Sequence, residues 1–96
     1  QNTFLMAILS AHIQFIPLSN EAPMAAVDSA IALIQTVGLT YEVGPFGTSV
    51  EGEASAIQEL VHNLLKSTIS KEFLLNVQYH VGTDKLSNAD KVPKFR

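Results

Sequence analysis

The chain has 96 residues, a formal net charge of −3 and no cysteine. A chain of this length forms one domain with a modest core, and the lack of cysteine excludes disulfides, thiol catalysis and cysteine-based zinc sites. The Lys and Arg residues, six in number, are too thinly spread to form a nucleic-acid-binding surface.

Charged residues make up only 16% of the sequence, whereas about 25% is usual in soluble domains. A small domain with so little charge is expected to cover part of its surface with other copies of itself. No apolar run approaches the roughly 18 residues that a membrane span requires, and the first apolar segment lacks the basic region of a signal peptide. We therefore expect a cytoplasmic homo-oligomer without a membrane partner.

Residues 7–16 alternate in polarity, which predicts the first strand. Its apolar face carries Ala7, Leu9, Ala11, Ile13 and Phe15. Its mixed face carries Ile8, Ser10, His12, Gln14 and Ile16. Residues 23–37 follow a period of 3.6 instead, which predicts a helix ending at Gly38. The apolar stripe of that helix consists of Val27, Ala30, Ile31 and Ile34.

Residues 39–53 predict a β-hairpin around a Gly-Pro-Phe-Gly turn, with Leu39, Tyr41 and Val43 on the core side of the sheet. A second helix is predicted over residues 53–67, where Ser55 and Gln58 match a capping box. Its apolar stripe consists of Ile57, Leu60, Val61 and Leu64. Residues 72–81 alternate again and predict the last strand. From residue 82 onward we expect a loop or one short helical turn.

The predicted order is βαββαβ, with connections long enough for right-handed crossovers. This is the ferredoxin-like α+β fold, a four-stranded antiparallel sheet in the order 4-1-3-2 with two helices on one face. We assign this domain to residues 7–84 and treat residues 85–96 as a C-terminal tail. The basic residues of the tail are more typical of a solvated end than of a binding arm.

The open face of the sheet, opposite the two helices, is predicted to carry mostly uncharged polar side chains. The strand order would bring together His12, Gln14, Glu51, Asn76 and His80. These side chains differ from the Lys and Glu residues that usually protect exposed strands. The pattern therefore favours a subunit interface or a ligand pocket over a solvated face.

Other chemistry is less well supported by the sequence. His12, His80 and Glu51 are residue types that bind zinc, but they lack a local ligand spacing. Ser10 or Ser49 would form a catalytic dyad with His12 only if the fold aligned them. The Gly-Pro-Phe-Gly turn lies between strands and does not open a helix, so it is not a phosphate-binding loop. We expect neither a metal nor a cofactor.

Three stretches together resemble a known family. AHIQFIPLS near the start, GLTYEVGPFGTSVEGE in the hairpin and NVQYHVG near the end are similar to the small thiamine-binding protein family. The most specific piece is Tyr-Glu-x-x-Pro-x-Gly-Thr-x-x-Glu-Gly, which runs from Tyr41 to Gly52. The resemblance covers roughly residues 7–84. It implies a single ferredoxin-like domain that binds thiamine or its hydroxymethylpyrimidine moiety without catalysis. It also implies a homodimer or homotetramer formed through the sheets.

The implied aminopyrimidine would donate hydrogen bonds to Glu, Gln, Asn or Thr side chains, or accept hydrogen bonds from them. Its ring would stack on Tyr41 or Phe46. The predicted ligand-binding residues are Gln14, Tyr41, Glu42, Phe46, Thr48, Ser49, Glu51 and Asn76. Packing in the core and turn is the simpler role for Tyr41 and Phe46. Two alternatives stay open: a structural or regulatory homo-oligomer without a ligand, and an enzyme on a pyrimidine-like substrate with Glu51 or His12 as general base.

Overall fold

A computed structural model of the chain describes residues 8–19, 22–82 and 87–91. Its elements are β1 (Ile8–Pro17), α1 (Pro23–Gln35), β2 (Thr40–Val43), β3 (Thr48–Glu53), α2 (Ala54–Leu65), β4 (Phe73–His80) and α3 (Asn88–Lys91). The predicted βαββαβ order is confirmed, and α3 is the short helical turn expected near the end. Gly38 has φ of +71°, so the left-handed stop after α1 is also confirmed.

The strands of the described residues form a four-stranded antiparallel sheet in the order β2-β3-β1-β4. This order is the predicted 4-1-3-2 read from the other edge, and the ferredoxin-like α+β fold is confirmed. The long strand β1 lies at the centre and pairs with both β3 and β4. Ser10, for example, lies opposite Glu51 on β3 and His80 on β4.

The core lies between the sheet and the two long helices. Strand β1 contributes Leu9, Ala11 and Ile13, as its alternation predicts. In α2 the predicted stripe is confirmed at Ile57, Leu60 and Leu64, which are fully buried. The stripe of α1 differs from the prediction. Its buried residues are Ala26, Ala30 and Ile34, whereas Val27 and Ile31 are half-buried beside a cleft.

One local prediction holds for the face of the sheet but not for burial, and a second is wrong. Tyr41 and Val43 share the helix face with Val50 and Thr48, but they stay exposed because β2 is an edge strand. The predicted capping box at Ser55 is absent, because α2 begins with Glu53 as its N-cap and has no side-chain cap hydrogen bond. Ala7, at the start of the predicted first strand, lies outside the described residues.

Replacing Leu60 by alanine should lower the free energy of unfolding by about 2–5 kcal/mol, because Leu60 is fully buried in the core. The matched control is Leu65→Ala, on the same helix but 61% exposed, which should change it by less than about 0.5 kcal/mol. Denaturant unfolding of both variants measures the difference. Equal losses would contradict the assignment of the buried face of α2.

Candidate functional site

A row of polar side chains crosses the open face of the sheet. Glu42 on β2 lies opposite Ser49 on β3, Ser49 lies opposite His12 on β1, and His12 lies opposite Gln78 on β4. Because neighbouring strands lie about 4.7–4.9 Å apart, the row is about 14 Å long. The sheet therefore presents a carboxylate, a hydroxyl, an imidazole and an amide in a line.

This row forms the floor of a cavity of about 490 Å³, which we call the open-face groove. Its described lining residues are Ser10, Ala11, His12, Glu42, Ser49, Gln78, Tyr79, His80, Asn88 and Lys91. The volume lies within the roughly 300–1,000 Å³ of small-molecule sites. Most of its polar groups come from strands, so the backbone ladder fixes their spacing.

The hairpin turn closes against one end of this groove. The backbone N–H of Gly44 donates to the carbonyl oxygen of Gly47 at 2.8 Å. A Cβ atom on Gly47 would lie 2.6 Å from Cε1 and 2.7 Å from Nε2 of His12, closer than side-chain atoms pack. Glycine at this position therefore lets the turn approach the His12 ring. A smaller cavity of about 350 Å³ on this side is lined by His12, Glu42, Ser49 and Phe46, among others.

The other end of the groove is covered by α3. Glu51 Oε2 accepts hydrogen bonds from Ser10 Oγ at 3.1 Å and from the backbone N–H of Asn88 at 3.0 Å. The side-chain amide of Asn88 also donates to the carbonyl oxygen of Val50 at 3.3 Å. Ser10 is consequently only 3% exposed although it lies on the open face. The tail is therefore not solvated throughout, because Asn88 packs against Glu51 and Val50.

Lys91 brings a positive charge to this end of the groove. Its Nζ atom contacts Nδ1 of His80 and donates to Oδ1 of Asn88 at 3.3 Å. Glu42 lies on β2 and Lys91 lies beside β4, at the opposite edge of the sheet. The β2 side of the groove thus carries the Glu42 carboxylate, whereas the α3 end carries the Lys91 ammonium group with the Glu51 carboxylate beneath the helix.

The structure separates the predicted ligand-binding residues into several places. Glu42 and Ser49 line the open-face groove, Glu51 lies beneath α3, and Phe46 is 78% exposed at the turn. The remaining residues have other surroundings. Asn76 donates to Gln14 at 3.1 Å on the same face, beyond the groove. Tyr41, which accepts from Gln35, and Thr48, which is buried, lie on the helix side.

Most residues that line the groove are not among the predicted ligand-binding residues. Ser10, His12, Gln78 and His80 were expected on the open face but were not among the predicted ligand-binding residues. Asn88 and Lys91 were not predicted at all, because they lie in the tail, whose basic residues are typical of a solvated end. The stretch Ser-Asn-Ala-Asp carried the available signal, since it matches the start of a capped helix. Ser87 Oγ does accept a hydrogen bond from the backbone N–H of Asp90 at 3.1 Å.

Within residues 8–19, 22–82 and 87–91, no three His, Asp or Glu side chains are grouped so that they could hold a metal ion. No helix in this part of the chain is both long and apolar enough to cross a membrane.

The fold and the groove define a ferredoxin-like domain with a polar cavity on its sheet face. The sequence matches the model of the thiamine-binding protein family over residues 11–96. The chain therefore belongs to the thiamine-binding protein family, and the match extends through the residues that form α3. No match was found among curated proteins.

Solved structures give the same fold. A Thermotoga maritima protein assigned provisionally to thiamine biosynthesis or salvage is 29% identical, with a TM-score of 0.85, over 94% of this chain and 100% of that one. A Streptococcus pneumoniae protein is 29% identical, with a TM-score of 0.77, over 90% of this chain and 98% of that one. A Bacillus cereus domain of unknown function is 23% identical, with a TM-score of 0.82, over 93% of this chain and 90% of that one. At this identity it supports the fold alone.

Replacing Glu51 by glutamine should loosen α3, because the carboxylate accepts from both Ser10 and Asn88. Charge-assisted hydrogen bonds contribute about 1.5–3 kcal/mol, so amide exchange at residues 88–91 should accelerate by about tenfold or more. Hydrogen–deuterium exchange measures this directly. The matched control is Glu53→Gln at the exposed end of the same strand, which should leave exchange at α3 unchanged. Equal exchange in both variants would show that Glu51 does not hold α3.

Proposed function

We propose that this protein binds thiamine, or its hydroxymethylpyrimidine moiety, in the open-face groove without catalysing a reaction. Membership of the thiamine-binding protein family is the observation that carries this proposal. The Thermotoga maritima relative, assigned provisionally to thiamine biosynthesis or salvage, supports the same ligand class. We propose a cytoplasmic location with it, since a protein of this kind would meet thiamine inside the cell.

The chemistry of the groove suits an aminopyrimidine. The Glu42 carboxylate can accept a hydrogen bond from the exocyclic amine, while the Ser49 hydroxyl and the Gln78 amide can each donate or accept. Thiamine also carries a positively charged thiazolium ring, which a carboxylate attracts. Phe46 lies at the turn end with an exposed ring on which a flat heterocycle can stack. We therefore assign ligand contact to Glu42, Ser49, Gln78 and Phe46.

The other predicted residues have different proposed roles. Glu51 acts through α3, which it holds against the groove. Gln14 and Asn76 bond to each other beyond the groove, and Tyr41 and Thr48 lie on the other face of the sheet. Contact between these residues and the ligand stays a prediction, and binding in the groove does not require it.

Replacing Glu42 by glutamine should weaken thiamine binding by on the order of tenfold, because a charge-assisted hydrogen bond becomes a neutral one. Calorimetric titration of the parent and the variant with thiamine measures the change. The control is Glu59→Gln, an exposed carboxylate on α2, which should bind like the parent. A parent that does not bind thiamine would overturn the proposed function. Equal affinity of all the proteins would overturn the assignment of the site.

The same samples test the absence of catalysis. Thiamine recovered after prolonged incubation should have an unchanged mass, because the proposal includes no reacting group. A new product that appears with the parent protein, and not with heat-denatured protein, would establish an enzyme instead.

We also propose that the protein is a homodimer or homotetramer that pairs through the open face beyond the groove. Leu74 on β4 lies opposite Ile16 and is 50% exposed on this face. Burial of such a side chain in a subunit contact would explain the low charge of the sequence. This surface is separate from the ligand contacts proposed above.

Replacing Leu74 by glutamate should reduce the solution mass towards the 10.4 kDa of one chain, because a charge would be buried in the contact. Light scattering at micromolar concentration measures the mass. Leu65→Glu is the control, since Leu65 is similarly exposed but lies on a helix. A parent mass near one chain would contradict the oligomer. A mass unaffected by Leu74→Glu would contradict this surface.

A further inference from the structure

The short helix α3 covers one end of the open-face groove, but none of its own residues is buried. A helix of four residues is not stable by itself in water, so α3 depends on what it contacts. The hydrogen bonds that join it to the sheet come from Asn88 and Lys91. Because α3 is held by polar contacts, the loss of one of them shifts the equilibrium between docked and released α3.

The contact between Lys91 and His80 joins α3 to the edge strand β4. Lys91 Nζ lies within hydrogen-bond distance of Nδ1 of His80. Lysine amines are ordinarily protonated at neutral pH, and an ammonium group has donors but no acceptor. Nδ1 of His80 therefore accepts this hydrogen bond, and the proton of the neutral ring lies on Nε2. The contact requires the uncharged form of His80.

Protonation of His80 would replace this contact by a repulsion. Both ring nitrogens of a protonated histidine are donors, so Nδ1 could no longer accept from Lys91. Two positive charges would then lie at contact distance. Histidine is the side chain whose charge ordinarily changes between about pH 5 and 8. Acidification within this range therefore weakens the hold of β4 on α3.

A carboxylate on β3 opposes this repulsion in part. Ser10 lies opposite both Glu51 and His80, so the backbones of these two residues are two strand spacings apart, about 9–10 Å. Charges separated by more than about 8 Å are largely screened in physiological salt. Lys91, which contacts His80 directly, therefore has the larger effect. The charged and titratable groups among the described residues on the elements around His80 are Lys91 and Asp90 on α3, His12 on β1 and Glu51 on β3.

Release of α3 would change this end of the groove. Ser10, which is only 3% exposed, would become accessible. The Glu51 carboxylate would lose the backbone N–H of Asn88 as a partner. The ammonium group of Lys91 would move away with the helix. The groove would therefore become wider and more negatively charged at the α3 end.

We propose that the contact between His80 and Lys91 is a pH-sensitive latch, which holds α3 over the groove at neutral pH and releases it when His80 is protonated. The docked state needs the neutral ring, so docking is favoured where His80 is neutral and is lost as the pH falls. His80 is exposed, so water and salt weaken the repulsion. The latch operates without a ligand and does not depend on the proposed function.

NMR of the ligand-free protein with a neutral gadolinium chelate in solution tests the latch. The chelate increases the relaxation of protons that it can approach, so the side-chain protons of Ser10 report the released fraction of α3. Their relaxation enhancement should rise by about 2–5-fold from about pH 7.5 to about pH 5.5. The backbone order parameters of Ala89 and Asp90 should fall over the same range. The methyl protons of Ile13, which is buried in the core, should keep a low enhancement.

Four variants assign the response to residues. His80→Asn keeps an acceptor near the position of Nδ1 and does not titrate, so Ser10 should stay protected at both pH values. Lys91→Met keeps the apolar stem without the charge, so the enhancement should already be raised at neutral pH and should not change in acid. His12→Asn on the open face and His62→Asn on α2, both exposed in the parent, are the matched controls and should respond like the parent.

The latch is overturned if the Ser10 enhancement is equal at the two pH values or falls in acid. It is also overturned if the response survives in His80→Asn or Lys91→Met, or if His12→Asn abolishes it, because another group would then control α3. An equal rise at Ile13 would show that the whole domain opens and would likewise contradict the latch. These samples contain no thiamine, so none of the outcomes bears on the proposed function.

Discussion

The register of β1 with its two neighbours determines both faces of this domain. His12 lies opposite Ser49 and Gln78, and Ser10 lies opposite Glu51 and His80. Because side chains alternate along a strand, this register directs the apolar side chains of β1 into the core and the polar ones into the groove. A slip by one residue would exchange the two sets. Burial of the apolar face therefore selects the arrangement that assembles the polar row.

The hairpin turn borders cavities on both faces of the sheet. Residues 43–47 line the smaller cavity beside the groove and also a cavity of about 610 Å³ between α1 and the turn, on the helix side. Gly47 has no space for a Cβ atom next to His12, and the exposed ring of Phe46 borders both cavities. The turn is thus more than a connection between strands, because its backbone shapes the wall on each side of the sheet. A substitution at Gly47 would displace His12 and change the groove from the turn end.

Local pattern in the sequence predicted the elements, the strand order and the two faces, because periods of 2 and 3.6 follow directly from backbone geometry. Exposure was harder to predict. Tyr41 faces the helix side as expected, but its place on an edge strand leaves it 41% exposed. The contact between Asn88 and Glu51 could not be predicted, since no local pattern relates residues so far apart. The capping signal at Ser87 could have predicted α3 as a helix, although not where it packs.

The central position of β1 also has a consequence for how the chain reaches its native state. Its partners β3 and β4 follow it in sequence, and its pairing with β4 joins opposite ends of the domain. During synthesis β1 emerges before both of its partner strands, so it stays unpaired until β3 has been made. Long-range pairing of this kind slows folding, and an unpaired apolar strand is prone to aggregation while it waits. The polar residues that alternate along β1, which later form the groove floor, limit that risk in the nascent chain.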